Sequence, residues 1–419
     1  MNEELKANLG NPEMLEKLYR DDRQAFKAAF DKILPEIEGT ETAKFWKARL
    51  QYDFSPAGLK ALVFPEVLTV LVICVITGFL IKIPALFSLS YPDEIFYWKN
   101  AAIIVFFGLV LFTFWLNKVR ELKKIIITAL IFLIAVLYIN LLPSDSQGAS
   151  VKLAYIHLPF LMWFTYGIAF TGFDFRDLNK RIGFIRFNGD LVIVYALLAI
   201  AGGLLTAITI GLFSSIGLNI EKFYGEYIVM MGAAAAPVVA AFLIEKFPAL
   251  VSKTAPVIAA IFSPVVFITL IIFLITILVT GKDPYNDRDF LLIFNIMLLG
   301  VMGIIIFSIS ESSVVKNQKY NAIILFALSV VTIITDLIAL SAIFYRLGQY
   351  GLTPNRLAVL VSNILVLINL IMIMINLFRI NFKKKDFSIV EMTVSKFLPV
   401  YLGWIVIVIF GFPVIFEMR

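Results

Sequence analysis

The chain has 419 residues, 60% of them hydrophobic and only 16% charged, with a mean hydropathy of +0.92; soluble globular chains average about 45–50% apolar and 25% charged, so a protein that keeps its whole surface in water is excluded. The net charge of +6 is explained by where Lys and Arg lie along the chain, with no nucleic-acid partner expected. A single cysteine, Cys74, excludes an internal disulfide or thiolate cluster, and a single histidine, His157, excludes the usual His-rich metal centre.

Residues 1–55 are polar and charged, and read as two or three short helices forming an amphipathic cytoplasmic segment. Asn11-Pro12 is a helix-start signal, with Asn as cap and Pro at the first helical position. Phe26, Phe30 and Ile33 fall on one helical face, which Pro35 is expected to end; Phe45, Trp46 and Leu50 form a second apolar patch. So short a segment is not expected to build a deep core alone, which leaves a cap on the bundle or a docking surface for a partner protein. With Met1–Asp53 polar throughout, the first apolar run is expected to direct insertion itself.

Residues 56–419 carry apolar runs of about 20 residues, the length that crosses a hydrocarbon core of about 30 Å. Eleven transmembrane helices are predicted, at 61–81, 97–117, 124–142, 151–171, 190–213, 225–244, 255–280, 290–309, 320–345, 356–378 and 397–416. The fold class is therefore all-α, a polytopic integral membrane helical bundle. With a cytoplasmic N-terminus, 17 Lys and Arg fall in cytoplasmic loops and 9 outside, the asymmetry that sets topology; the C-terminus is then external. Tyr97, Trp98, Trp115, Tyr138, Trp163, Tyr345 and Trp404 lie near span ends, where amphipathic rings favour the interface. No internal repeat is evident, although eleven spans leave room for five plus five with one extra.

Ionisable residues inside the membrane are functional candidates by default. Asp336 lies in the ninth span, about 14 Å of helix from its outer end, on one face with Ser329 and Thr332. It reads either as a proton- or cation-handling carboxyl or as a neutral group bonding a neighbouring helix. His157, in the fourth span, lies about 9 Å below the same outer surface and meets Asp336 if those spans are neighbours; alone it reads as a packed, hydrogen-bonded residue. Glu66 and Glu311 read as helix-end or interfacial groups. In the tenth span Asn355, Ser362, Asn369 and Asn376 recur every seven residues, drifting only about 20° per step, so a polar stripe runs the length of the helix. It lines either a water-filled pathway or a hydrogen-bonded seam.

Gly202-Gly203 and the stretch Gly232–Pro237 permit close helix approach, and Pro237, Pro256 and Pro264 are expected to kink or interrupt their helices. The loop 281–289 holds Asp283, Asp287 and Asp289, which reads either as a divalent-cation site or, the reading taken, as a solvated Pro-Asn turn, so no metal is assigned. The loop 350–356 places Arg346 and Arg356 near one another, as an anion-holding pair or as parts of a structural hairpin. No His-Glu-x-x-His, paired aspartyl-protease motif, Walker A loop or Asp-rich helical pair occurs; neither an enzyme nor a cofactor is expected.

The segments YGLTPNR at 350–356, KDPYNDRDFLLIFN at 282–295 and FYGEYIVMMGAAAAPVVAAFLI at 223–244 resemble bacterial membrane proteins grouped as domain of unknown function 4153. LYRDDRQAFKAAFDKILPEI at 18–37 with FWKARL at 45–50 is similar to the version found in Bacteroidetes. The resemblance implies a helical fold in a bacterial cytoplasmic (inner) membrane and brings no catalytic residues with it. The functions in view are transport of a small solute or lipid through a buried carboxylate, a non-catalytic subunit or scaffold that docks through the N-terminal segment and basic loops, and a membrane-embedded sensor. The candidate binding residues are Asp336, His157, Thr332, Asn355, Ser362, Asn369, Asn376, Arg346 and Arg356, and membrane lipids are the expected surroundings.

Overall fold

The computed structural model describes residues 2–21, 23–37, 39–54, 64–86, 93–143, 148–215, 219–248, 254–280, 285, 288–312 and 318–418. Among them every regular element is a helix, and the chain divides into two compact units, Met1–Phe64 with Lys246–Ala249 and Pro65–Glu245 with Leu250–Arg419.

The first unit contains α1 (Asn2–Ala7), α2 (Pro12–Asp21), α3 (Arg23–Ile37) and α4 (Glu41–Phe54). Asn11 caps α2 by accepting from the Met14 amide at 3.2 Å, and Thr40 caps α4 by accepting from the Ala43 amide at 3.1 Å. Despite its size the unit has a core of its own: Leu5, Leu15, Tyr19, Phe26, Phe30, Ile33, Trp46 and Leu50 are all buried. The Phe26 and Trp46 rings lie 4.6 Å apart, and the Arg49 guanidinium covers Tyr19 and Trp46, each at 5.1 Å, while pairing with Glu16 at 2.9 Å. Two expectations change. The α3 helix continues through Pro35 to Ile37, because a proline in the last turn removes only one amide from the ladder. Phe45 is exposed while Trp46 is buried, since consecutive helical residues cannot share one face.

The second unit contains α5 (Phe64–Ile81), α6 (Asp93–Leu116), α7 (Leu122–Leu141), α8 (Ala149–Phe170), α9 (Leu178–Ser215), α10 (Glu221–Lys246), α11 (Thr254–Thr280), α12 (Arg288–Ser312), α13 (Gln318–Tyr350), α14 (Pro354–Lys383) and α15 (Ser388–Ile415). Each matches one predicted span. Ten are long and apolar enough to cross a membrane; α11 carries a shorter apolar stretch, Ser263–Val279, over its described residues. Leu68, Leu71 and Val75 on α5, Leu130, Leu133 and Leu137 on α7, and Leu197, Ile200 and Leu204 on α9 face outward. Water would not tolerate so large an apolar surface, whereas hydrocarbon does. The chain is a multi-pass membrane protein.

Within this unit α13 runs against α14 for much of their length, α11, α12 and α13 pack on one another, α6 packs against α7 and α8, and α15 packs on α8, α9 and α14. Pro237 and Pro264 sit inside continuous helices. Two other prolines show how this bundle repairs the ladder. Pro399 cannot donate to the Ser395 carbonyl four residues before it, and Arg181 Nη1 donates there instead at 2.9 Å. Pro413 follows a π-helical turn at Ile407–Gly411, and the Ile409 carbonyl it would have bonded accepts from the Tyr138 hydroxyl at 2.8 Å. Neighbouring helices thus supply the donors that proline withholds.

Close packing constrains Gly108 on α6. A Cβ there would lie 2.5 Å from the Thr77 methyl on α5 and 3.0 Å from a Val238 methyl on α10. Both neighbours are β-branched and stiff, so Gly108→Ala is expected to destabilise the bundle by about 1–3 kcal/mol, read as a lower thermal midpoint in detergent. Gly78→Ala, which meets the flexible Met231 side chain, serves as the milder comparison.

Candidate functional site

The stripe on α14 meets α15. Trp404 Nε1 donates to Ser362 Oγ at 2.9 Å, Asn369 Nδ2 to the Tyr401 hydroxyl at 3.0 Å, and Asn376 Nδ2 to Thr393 Oγ1 at 2.7 Å. Residue numbers rise along one helix as they fall along the other, which is the register of an antiparallel pair. Ser362, Asn369 and Asn376 therefore form a hydrogen-bonded seam. Asn355, the fourth member, lies exposed in the first turn of α14, outside that contact. Two further asparagines tie α14 elsewhere: Asn363 Nδ2 donates to Asn295 Oδ1 on α12 at 2.6 Å, and Asn381 Nδ2 to the Ala322 carbonyl on α13 at 3.0 Å. Asn363→Leu is expected to cost about 1 kcal/mol, because interhelical hydrogen bonds in membranes contribute modestly; thermal unfolding beside wild type checks it.

One part of the interface is left unsatisfied. Asp336 is 0% exposed, and among the described residues neither of its carboxyl oxygens finds a hydrogen-bond donor. Asn369, also 0% exposed, leaves its side-chain carbonyl oxygen without a donor among the same residues. Tyr401 links the two, accepting from Asn369 and lying within electrostatic reach of Asp336. Thr332, one turn before Asp336, donates its hydroxyl to the Leu328 carbonyl at 2.7 Å, as Ser329 does to Leu325. Each of these oxygens has committed its hydrogen and keeps its lone pairs. Asp336, Thr332, Asn369 and Tyr401 lie near the middle of their helices, about 20 Å or more from the ends of α13, α14 and α15. The centre of the bundle is thus rich in acceptors, with the Tyr401 hydroxyl hydrogen as a donor among them.

A second polar cluster joins α9, α12 and α15 at one end of the bundle. Arg186 on α9 donates from Nε and Nη2 to the Ser310 carbonyl at 2.9 and 2.5 Å, an orphan of the last turn of α12. Its guanidinium also lies 3.5 Å from Glu311 and 3.8 Å from Glu391, with Asp190, one turn further along α9, in electrostatic reach. Glu311, in the last turn of α12, is only 3% exposed. The turn that carries it is held between two other helices, so it faces protein. Sequence reading missed this cluster because Arg186 was assigned to a loop and Glu391 lay before the last predicted span. The usable signal was a carboxylate at the end of an apolar run with no basic residue beside it.

The remaining candidates lie apart from these two clusters. His157 bonds the Leu153 carbonyl of its own helix at 2.8 Å through Nδ1. The α8 helix that carries it packs on α6, α7, α14 and α15, whereas α13 packs on α11, α12 and α14; the structure does not bring His157 to Asp336. Arg356 Nη1 donates to the Tyr350 and Gly351 carbonyls at 2.6 and 2.7 Å, where Gly351 takes a φ of +71° that favours glycine. Its guanidinium closes the α13–α14 hairpin, capped by Thr353. The Arg346 and Arg356 guanidinium groups lie 5.8 and 5.3 Å from the Tyr350 ring, and that of Arg356 is committed to backbone. Asp283 and Asp287 lie outside the described residues, as does the side chain of Asp289.

No protein-family model, no curated protein and no solved structure matches the chain. What the molecule does therefore rests on the chemistry of its own residues.

Proposed function

We propose that this multi-pass protein is a transporter of a small solute or lipid in which Asp336 takes up and releases a proton or small cation as the bundle changes conformation. One observation carries the reading: a fully buried carboxyl, at mid-bundle, whose two oxygens have no donor among the described residues. A buried carboxylate without a partner is unstable by several kcal/mol, so the site favours binding of positive charge, and midplane sites of this kind suit alternating access. The protein has no catalytic role in this reading. The resemblance to domain of unknown function 4153 belongs to the same proposal, with a bacterial cytoplasmic membrane as its location, lipids around it, a cytoplasmic N-terminus and an external C-terminus. Ion-driven flux in reconstituted vesicles, wild type against Asp336→Asn, tests it.

The seam between α14 and α15 favours a second reading, a non-catalytic subunit whose helices are locked together and whose N-terminal unit docks a partner. It requires co-purification of another protein from native membranes, lost on deleting residues 1–55. A partner-free preparation that supports flux rules it out.

A further inference from the structure

We infer that the central site binds a dehydrated monovalent metal cation of the sodium class, held by the Asp336 carboxylate, the Asn369 side-chain carbonyl and the Tyr401 hydroxyl oxygen. This deepens the preceding reading and rests on its assignment of Asp336 as the ion-binding group.

The oxygen inventory favours a metal ion over a proton. Three buried oxygens lack donors among the described residues, both of Asp336 and one of Asn369. A proton on Asp336 turns one carboxyl oxygen into a donor for a single acceptor, and the remaining acceptor then depends on the Tyr401 hydroxyl hydrogen, which makes no hydrogen bond to Asp336 in the structure. A metal ion draws on several oxygens at once, as hard cations do. The Thr332 hydroxyl adds a lone pair on the Asp336 face, its hydrogen already given to Leu328. Asn369 is oriented for the role: its amide nitrogen is fixed on Tyr401 at 3.0 Å, which leaves its carbonyl oxygen as the free end. The ligands come from α13, α14 and α15, so cation binding and release are tied to the relative position of three helices.

Charge decides the valence. One carboxylate supplies one negative charge, which balances a monovalent ion; a divalent ion would leave a positive charge buried and uncompensated, which is strongly disfavoured. His, Cys, Asp and Glu form no metal-holding group of three among the described residues, in keeping with a site that relies on neutral oxygens beside a single carboxylate.

The test uses the purified full chain in detergent with sodium chloride as the probe and choline chloride as the ionic-strength control. Radiotracer sodium binding and the thermal midpoint are the readouts, since a ligand that binds only the folded state raises the midpoint by mass action. Saturable sodium binding is expected, with at least a tenfold loss of affinity in Asp336→Asn and a several-fold loss in Tyr401→Phe, while calcium at equal concentration produces no saturable shift. Absence of saturable sodium binding, with flux still abolished by Asp336→Asn, overturns the inference and leaves the transport reading standing on a proton. Sodium binding with flux unaffected by Asp336→Asn supports the site and removes the transport reading. If Asp336→Asn does not fold, Tyr401→Phe decides: sodium affinity equal to wild type overturns the site.

Discussion

Asp336→Asn is expected to abolish ion-driven flux, by at least the tenfold that about 1.4 kcal/mol represents, while leaving the bundle as stable as wild type or more so. The two halves of that expectation have one cause. Asn matches Asp in shape but is neutral and brings two N–H donors into a centre where the Asn369 carbonyl has none among the described residues. Satisfying one buried acceptor contributes about 1 kcal/mol, and loss of a buried charge removes a desolvation cost. Titration and cation binding at that position are lost together. Flux in vesicles and the thermal midpoint, measured on the same preparation, separate chemistry from folding. A stable variant with undiminished flux sinks the transport reading. A fall in midpoint confined to sodium buffer reports the lost cation, whereas a sharp fall in sodium-free choline buffer shows that the carboxylate has a structural partner, which also contradicts it.

Arg186→Met is expected to be the most destabilising substitution at the α9–α12–α15 cluster. It removes both hydrogen bonds to the Ser310 carbonyl and the positive charge facing Glu311 and Glu391. Breaking a buried ion pair from one side costs about 3–5 kcal/mol. The Arg186 side chain is 34% exposed, so water screens part of the interaction and the loss should fall near the lower end, about 3 kcal/mol. Arg186→Lys keeps the charge but not the planar fork that reaches Ser310 and the carboxylates together, and an intermediate loss is expected. Adding Glu311→Leu to Arg186→Met should recover part of the stability by removing the stranded carboxylate. The double-mutant cycle, read by thermal unfolding, measures the coupling; a midpoint unchanged in Arg186→Met means that the cluster contributes nothing.

Much of the architecture is legible in the amino-acid sequence. Runs of about 20 apolar residues can only be hidden from water in hydrocarbon or in one another, so the eleven helices and their order follow from hydropathy along the chain. The two span boundaries that depart furthest from expectation do so for one reason. The α9 helix begins at Leu178 and α15 at Ser388, well ahead of the apolar runs at 190 and 397, because Arg181, Arg186 and Glu391 lower local hydropathy. Those charges are tolerated inside a helix because neighbouring helices bond them, and hydropathy cannot register a partner that is distant in sequence. The same blindness hid Arg186 as the partner of Glu311.

The polar core divides along the same line. The seven-residue repeat of Ser362, Asn369 and Asn376 and the lone carboxyl of Asp336 are properties of single helices, and periodicity exposes them. Whether the stripe lined water or bonded another helix depended on Trp404, Tyr401 and Thr393, which lie on α15 and carry no period that matches it. Residue order alone establishes that this protein lives in a bilayer, how many long helices it has and where its intramembrane polarity lies, because solvation of a helix is settled residue by residue. Which polar groups are satisfied is settled by packing: the stripe against α15, Arg186 against Ser310 and the glutamates, and Asp336 against none of the described residues. Hydrogen bonds and ion pairs need two partners at a few ångströms, and that distance exists only once the helices have come together.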